Sequence, residues 1–146
     1  MENKLHSGFL VDAVEEGDFE RVKTLIEEGA DVDFKNVFGE SALSIASYGG
    51  HIDIVKILVA KGCNLNPRNT RGDTPLIHAA ICGYYDIAKF LIESGANTHF
   101  NNKFGETACV LACGREHEDI STLIIHHENK EKSEKNLGED HEHTRI

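Results

Sequence analysis

Residues 69–102 read NTRGDTPLIHAAICGYYDIAKFLIESGANTHFNN. Gly72, Gly83 and Gly95 punctuate two short apolar runs of helical spacing. Moved back by 33 residues, the same register meets Gly39, Gly50 and Gly62; moved back again, Gly17 and Gly29; moved forward, Gly105. Apolar positions keep the same step, in Leu25, Leu58, Leu91 and Ile124 and in Ala13, Ala46, Ala79 and Ala112. A fixed period of this length marks a stacked repeat array, in which no unit buries its apolar side alone and each neighbour completes the next.

Local chemistry assigns the elements within each unit. Thr74 caps a first helix, and Pro75 sits at its first position, where a missing N–H costs nothing. Second helices are expected near 52–60, with Ile54, Val55, Leu58 and Val59 inward, and near 85–93, with Ile87, Ala88, Leu91 and Ile92 inward. Ser41 caps the corresponding first helix of the preceding unit, after a turn at Asn36-Val37-Phe38-Gly39. Gly8-Phe9-Leu10 offers no such turn, so helices near 8–15 and 19–28 open the chain without one. Glu15, Glu16, Asp18, Glu20, Glu27 and Glu28 make that end acidic, as a solvated terminal cap is expected to be. At the far end Glu116 replaces glycine, Glu118 replaces Phe19, Ile52 and Tyr85, and Ser121 replaces Val or Ala, consistent with a polar closing face. Residues 128–146 carry many charges and one leucine and are expected to be a disordered polar tail.

Thr74-Pro75-Leu76, Ala79-Ala80, Gly83 and Gly95-Ala96-Asn97 resemble the ankyrin repeat. The resemblance implies an all-α solenoid of four stacked helix-turn-helix ankyrin repeats with projecting β-turns, at about 3–35, 36–68, 69–101 and 102–127. The turns and first helices would line a concave face. The histidine that the family places in helix one, where it ties neighbouring turns by hydrogen bonds, is replaced here by Val11, Ser44, Ile77 and Val110. Asn66 stands where arrays of this family can be hydroxylated by an asparaginyl hydroxylase.

Length and charge bound the function. The chain has 146 residues, suited to one domain, and a net charge of −10, with −8 over residues 1–127 and −2 beyond. Phosphate binding needs clustered Lys and Arg, so a nucleic-acid partner is not expected. No apolar run approaches the roughly 18 residues of a membrane span, and MENKLHSGFL has no secretory apolar segment. Four cysteines without a framework suggest a reducing, cytoplasmic or nuclear, compartment. A monomer is expected.

Signatures of catalysis are missing: there is no G-x-x-x-x-G-K-[ST], G-x-S-x-G or H-E-x-x-H stretch. Neither an enzyme nor a cofactor is therefore expected, and a metal-dependent hydrolase is the remote alternative. Asp31-x-Asp33 begins like a calcium loop, but Lys35 occupies a ligand position. Cys109, Cys113 and His117 step by four, yet eight helical residues span about 12 Å, too far to converge on one ion. Both cysteines are expected as small core residues. His126-His127 and Asp140-His141-Glu142-His143 lack anything to preorganise them as ligands. His78 is expected to pack between repeats. Thr144-Arg145-Ile146 matches a loose C-terminal ligand pattern of PDZ domains.

The resemblance points instead to the turn tips and the ends of the first helices, where partners bind in this family. These positions carry Val37, Phe38, Glu40 and Tyr48, then Thr70, Arg71, Asp73, Ile81 and Cys82, then Lys103, Phe104, Glu106 and Arg115. Aromatic side chains flanked by charge at such positions are a contact-surface signature, unless Phe38 and Phe104 fold back onto neighbouring turns. The expected role is a protein–protein interaction module or adaptor, or a regulatory or inhibitory subunit using the same face. An acidic first repeat opposite Lys103 and Arg115 would orient the partner.

Overall fold

The computed structural model describes residues 2–143, with side chains described for residues 6–138. Eight helices follow one another among these residues: α1 Glu2–Glu16, α2 Phe19–Glu27, α3 Ala42–Gly49, α4 Ile52–Ala60, α5 Pro75–Cys82, α6 Tyr85–Glu93, α7 Ala108–Gly114 and α8 Glu118–His143. The first helices α1, α3, α5 and α7 stack into one layer, and the second helices α2, α4, α6 and α8 form the other. Leu25, Leu58, Leu91 and Ile124 all lie in the single core between the layers, as do Ala13, Ala46, Ala79 and Ala112. The alanines are fully buried where successive first helices pack on one another.

Side-chain caps set the helix starts. Ser41, Thr74 and Thr107 each accept a hydrogen bond from the backbone N–H three residues on, and Asp18 does so for α2. Between the pairs, residues 35–41 and 101–107 close tight turns with bridges Lys35–Ser41 and Asn101–Thr107. Successive turns touch through backbone: Thr70 N–H donates to Phe38 C=O at 3.2 Å, and Lys103 N–H donates to Arg71 C=O at 3.0 Å. Gly39 and Gly72 allow this contact. Each has positive φ, and a Cβ on Gly72 would fall 3.0 Å from the Lys103 nitrogen.

The ends depart from the sequence expectation. The first repeat lacks a turn, as expected, but α1 begins at Glu2 rather than near residue 8. The stretch from residue 128, expected to be disordered, continues α8 as helix to His143. Strong helix formers, with no glycine before Gly138, let the helix propagate. It is also docked: Thr98 Oγ1 donates to Glu128 Oε1 at 3.0 Å, while His99 lies 3.6 Å from Glu128 and 3.9 Å from Glu131. Ser121 is buried rather than part of a polar outer face, its hydroxyl donating to Glu118 C=O. Cys113, expected in the core, is exposed because no further first helix packs on α7 among the described residues.

Candidate functional site: the face of the turns and first helices

A ladder that the sequence reading overlooked holds the turns. Asn36, Asn69 and Asn102 recur at the repeat period. In each, Oδ1 accepts two backbone N–H groups, from the residues two and four positions on, at 2.9–3.0 Å. The amide then reaches back one repeat: Asn69 Nδ2 donates to Glu40 Oε1 at 2.6 Å, and Asn102 Nδ2 donates to Asp73 Oδ1 at 3.0 Å. This network ties turn to turn in a chain without the family's helix-one histidine. Charged acceptors make such bonds strong.

The ladder reassigns the acidic positions expected to contact a partner. Asp73 is buried, its carboxylate held by Asn102 and by Arg71 Nε at 3.6 Å. Glu106 accepts Asn102 Nδ2 at 3.2 Å, and Glu40 accepts both Asn69 and His78 Nε2, the latter at 3.3 Å. Both are half-buried. The resemblance assigns these turn positions no structural demand, yet here their carboxylates hold the turns. The asparagine four residues earlier was the available signal. Burial raises the Glu40 pKa, but the hydrogen bonds from His78 and Asn69 outweigh it and hold the carboxyl below its ordinary value. His78 is buried between repeats as expected, its partner lying 38 residues away; its Nδ1 has none.

The apolar positions behave differently. Val37 is 90% exposed, Phe38 67%, Phe104 66% and Tyr48 60%. Tyr48 sets its ring edge against His78 with centroids 5.6 Å apart. Arg71, from the preceding turn, lies over Phe104 at 5.4 Å, so that ring does lean partly on a neighbour. Phe38 has no preceding turn to lean on, because α1 occupies that part of the first repeat. Ile81 is half-buried against the core, and Lys103 and Arg115 are exposed at the far end. Thr70 is exposed, whereas Cys82 is half-buried with its thiol near Tyr48 C=O.

Two depressions mark the beginning of this face. One, of about 610 Å³, runs between α1 and the first turn and is lined by Phe9, Val11, Asp12, Glu15, Phe34 and Val37 among others. The second, of about 320 Å³, is lined by Glu15, Glu40, Ser44, Ile45, Tyr48 and His78, with Gly49 and His51. In the sequence Glu15 reads only as part of a solvated acidic cap and Phe9 only as part of a missing turn.

No group of three His, Cys, Asp or Glu side chains among the described residues is placed to hold a metal ion. His117 lies beyond α7 and stacks its ring against Gly83, so it does not join Cys109 and Cys113. His127 pairs with Glu131 at 3.3 Å. The side chains of Asp140-His141-Glu142-His143 and all of Thr144-Arg145-Ile146 lie outside the described residues. Asn66 Oδ1 accepts Asn97 N–H at 2.9 Å, so its amide serves the loop between repeats. Burial, with Asp33 nearby, pushes the Cys63 thiol up to about 11, which suits a core residue rather than a nucleophile.

Two helical layers, capped turns in one row and a period of 33 residues define an α-solenoid repeat protein. Residues 10–102 match the ankyrin repeat family in three copies, and the chain belongs to that family. Over 42 residues it is 52% identical to the Notch-regulated ankyrin repeat-containing proteins of Xenopus tropicalis and Xenopus laevis. That stretch is 29% of this chain and 37% of each relative, so the match spans little more than a third of the relatives' length. Ankyrin repeats are generally protein–protein interaction modules. No helix among the described residues is long and apolar enough to cross a membrane.

Proposed function

We propose that this chain is a docking module that holds a protein partner along its turns and first helices. The observation that carries the reading is the row of exposed apolar side chains, Phe9, Val37, Phe38, Tyr48 and Phe104, beside a core that is already complete. Exposed apolar surface rimmed by charge is retained where a partner covers it. Val37, Phe38 and Tyr48 are the central contacts, Phe104 with Lys103 and Arg115 the far ones, and Arg71 a contact that also braces Phe104. Glu40, Asp73 and Glu106 act through the turns they hold, and Ile81 supports the face from below.

An adaptor and a regulatory or inhibitory subunit would use the same contact and differ only in what the partner does. The module acts as a monomer in a reducing, cytoplasmic or nuclear, compartment, a reading supported by four unpaired cysteines. The test is site-specific photocrosslinking in native lysate, with a benzophenone side chain at Val37 and, as control, at exposed Lys61 behind the second helix. A partner captured from position 37 and not from 61 supports the reading. Equal capture from both, or from 61 alone, refutes it.

A further inference from the structure

Resting on that reading, we infer that the first two repeats recognise a partner segment carrying one large apolar side chain with an arginine or lysine within a few residues of it. The two depressions are chemically different and adjacent. The larger is walled by Phe9, Phe34 and Val37, and the smaller by Tyr48 and the carboxylates of Glu15 and Glu40. Glu15 lines both, so one short segment spans them.

Charge selects the occupant. Asp12 and Glu15 are exposed, and neither has an ion-pair partner among the described residues. Glu40 is held in its ionised form by its hydrogen bonds. The one cation on the walls, Lys35, is drawn away to the next repeat, where its amine donates to Arg68 C=O at 3.0 Å. A groove lined by these carboxylates, with its one lysine engaged elsewhere, attracts a basic segment and repels an acidic one. The exposed Tyr48 ring adds a surface on which a cation stacks. A guanidinium has N–H groups enough to donate to more than one of these carboxylates, which favours arginine over lysine.

The test is selection of a random peptide library on the full chain, with the enriched peptides then measured by fluorescence anisotropy. The expected consensus is a Phe, Leu or Ile close to an Arg or Lys. Affinity should fall at least about tenfold in Asp12→Lys/Glu15→Lys, weaken with added salt, and stay unchanged in Lys61→Glu, behind the second helix. Asp12 and Glu15 are exposed, so the double variant should keep the wild-type melting temperature. A neutral or acidic consensus, or equal binding to the Asp12→Lys/Glu15→Lys variant, overturns the inference. If the peptides instead depend on Lys103 and Arg115, the docking role stands and only this assignment of partner chemistry falls.

Discussion

Leu58 and Phe38 are both large apolar side chains of the second repeat, and the array treats them in opposite ways. Leu58 is fully buried between the helix layers, whereas Phe38 stands two-thirds exposed at a turn tip. Their neighbours explain the difference. Leu58 belongs to a row repeated in every unit, so each copy is covered by the next. Phe38 lies on the face that stacking leaves open. In a solenoid, apolar character alone therefore does not distinguish a folding residue from a binding one; position in the repeat does.

The largest expected effect breaks the buried side of this contrast. Leu58→Ala should cost about 2–5 kcal/mol in chemical denaturation, because a packed core relaxes only partly around a cavity. A loss below about 1 kcal/mol would mean that the two layers are looser than the burial of Leu58 implies.

A second comparison sharpens the role of neighbours. Gly72 and Gly105 have the same positive φ, but a Cβ on Gly72 meets the next turn's backbone, while one on Gly105 meets nothing within 4 Å. Gly105→Ala should cost roughly 1 kcal/mol, from left-handed backbone alone. Gly72→Ala should cost more, about 2–3 kcal/mol, since a backbone neighbour cannot turn aside. Equal melting temperatures for the two variants would deny that the turns are stacked as described.

A smaller effect should be visible in pH dependence. Glu40 has a folded pKa lowered from an ordinary value of 4.5, so its contribution to stability is fully present above about pH 4.5. That contribution is lost as pH falls through the lowered folded value. Thermal melts from pH 7 to pH 3 should therefore decline less steeply at the acid end in Glu40→Gln than in the wild type. Parallel curves would show that the carboxylate is not clamped.

The period made the fold legible. Glycines and small or branched apolar residues at one spacing marked the two layers, and the helices near 52–60 and 85–93 fall where expected. The turn ladder was less legible because it joins polar residues of adjacent repeats, such as Asn102 with Asp73, whose bond is visible only once the repeats are superposed. The extensions of α1 and α8 were missed for a related reason. Charged sequence near a terminus reads as solvated, and the docking of Glu128 on Thr98 spans 30 residues. At the candidate site the exposed aromatics were readable from register, since their slots carry no packing duty. The acidic groove beside Phe9 was not, because it forms between the helix of one repeat and the turn of the next.

The decisive measurement places Phe38→Ala beside Leu58→Ala, with denaturation curves and affinity for the partner crosslinked at position 37 both recorded. Phe38→Ala should change stability by less than about 0.5 kcal/mol while weakening the complex by about 2 kcal/mol or more. A Phe38→Ala chain that loses stability as Leu58→Ala does, or that binds the partner as tightly as the wild type, would contradict the separation of a folding row from a docking row.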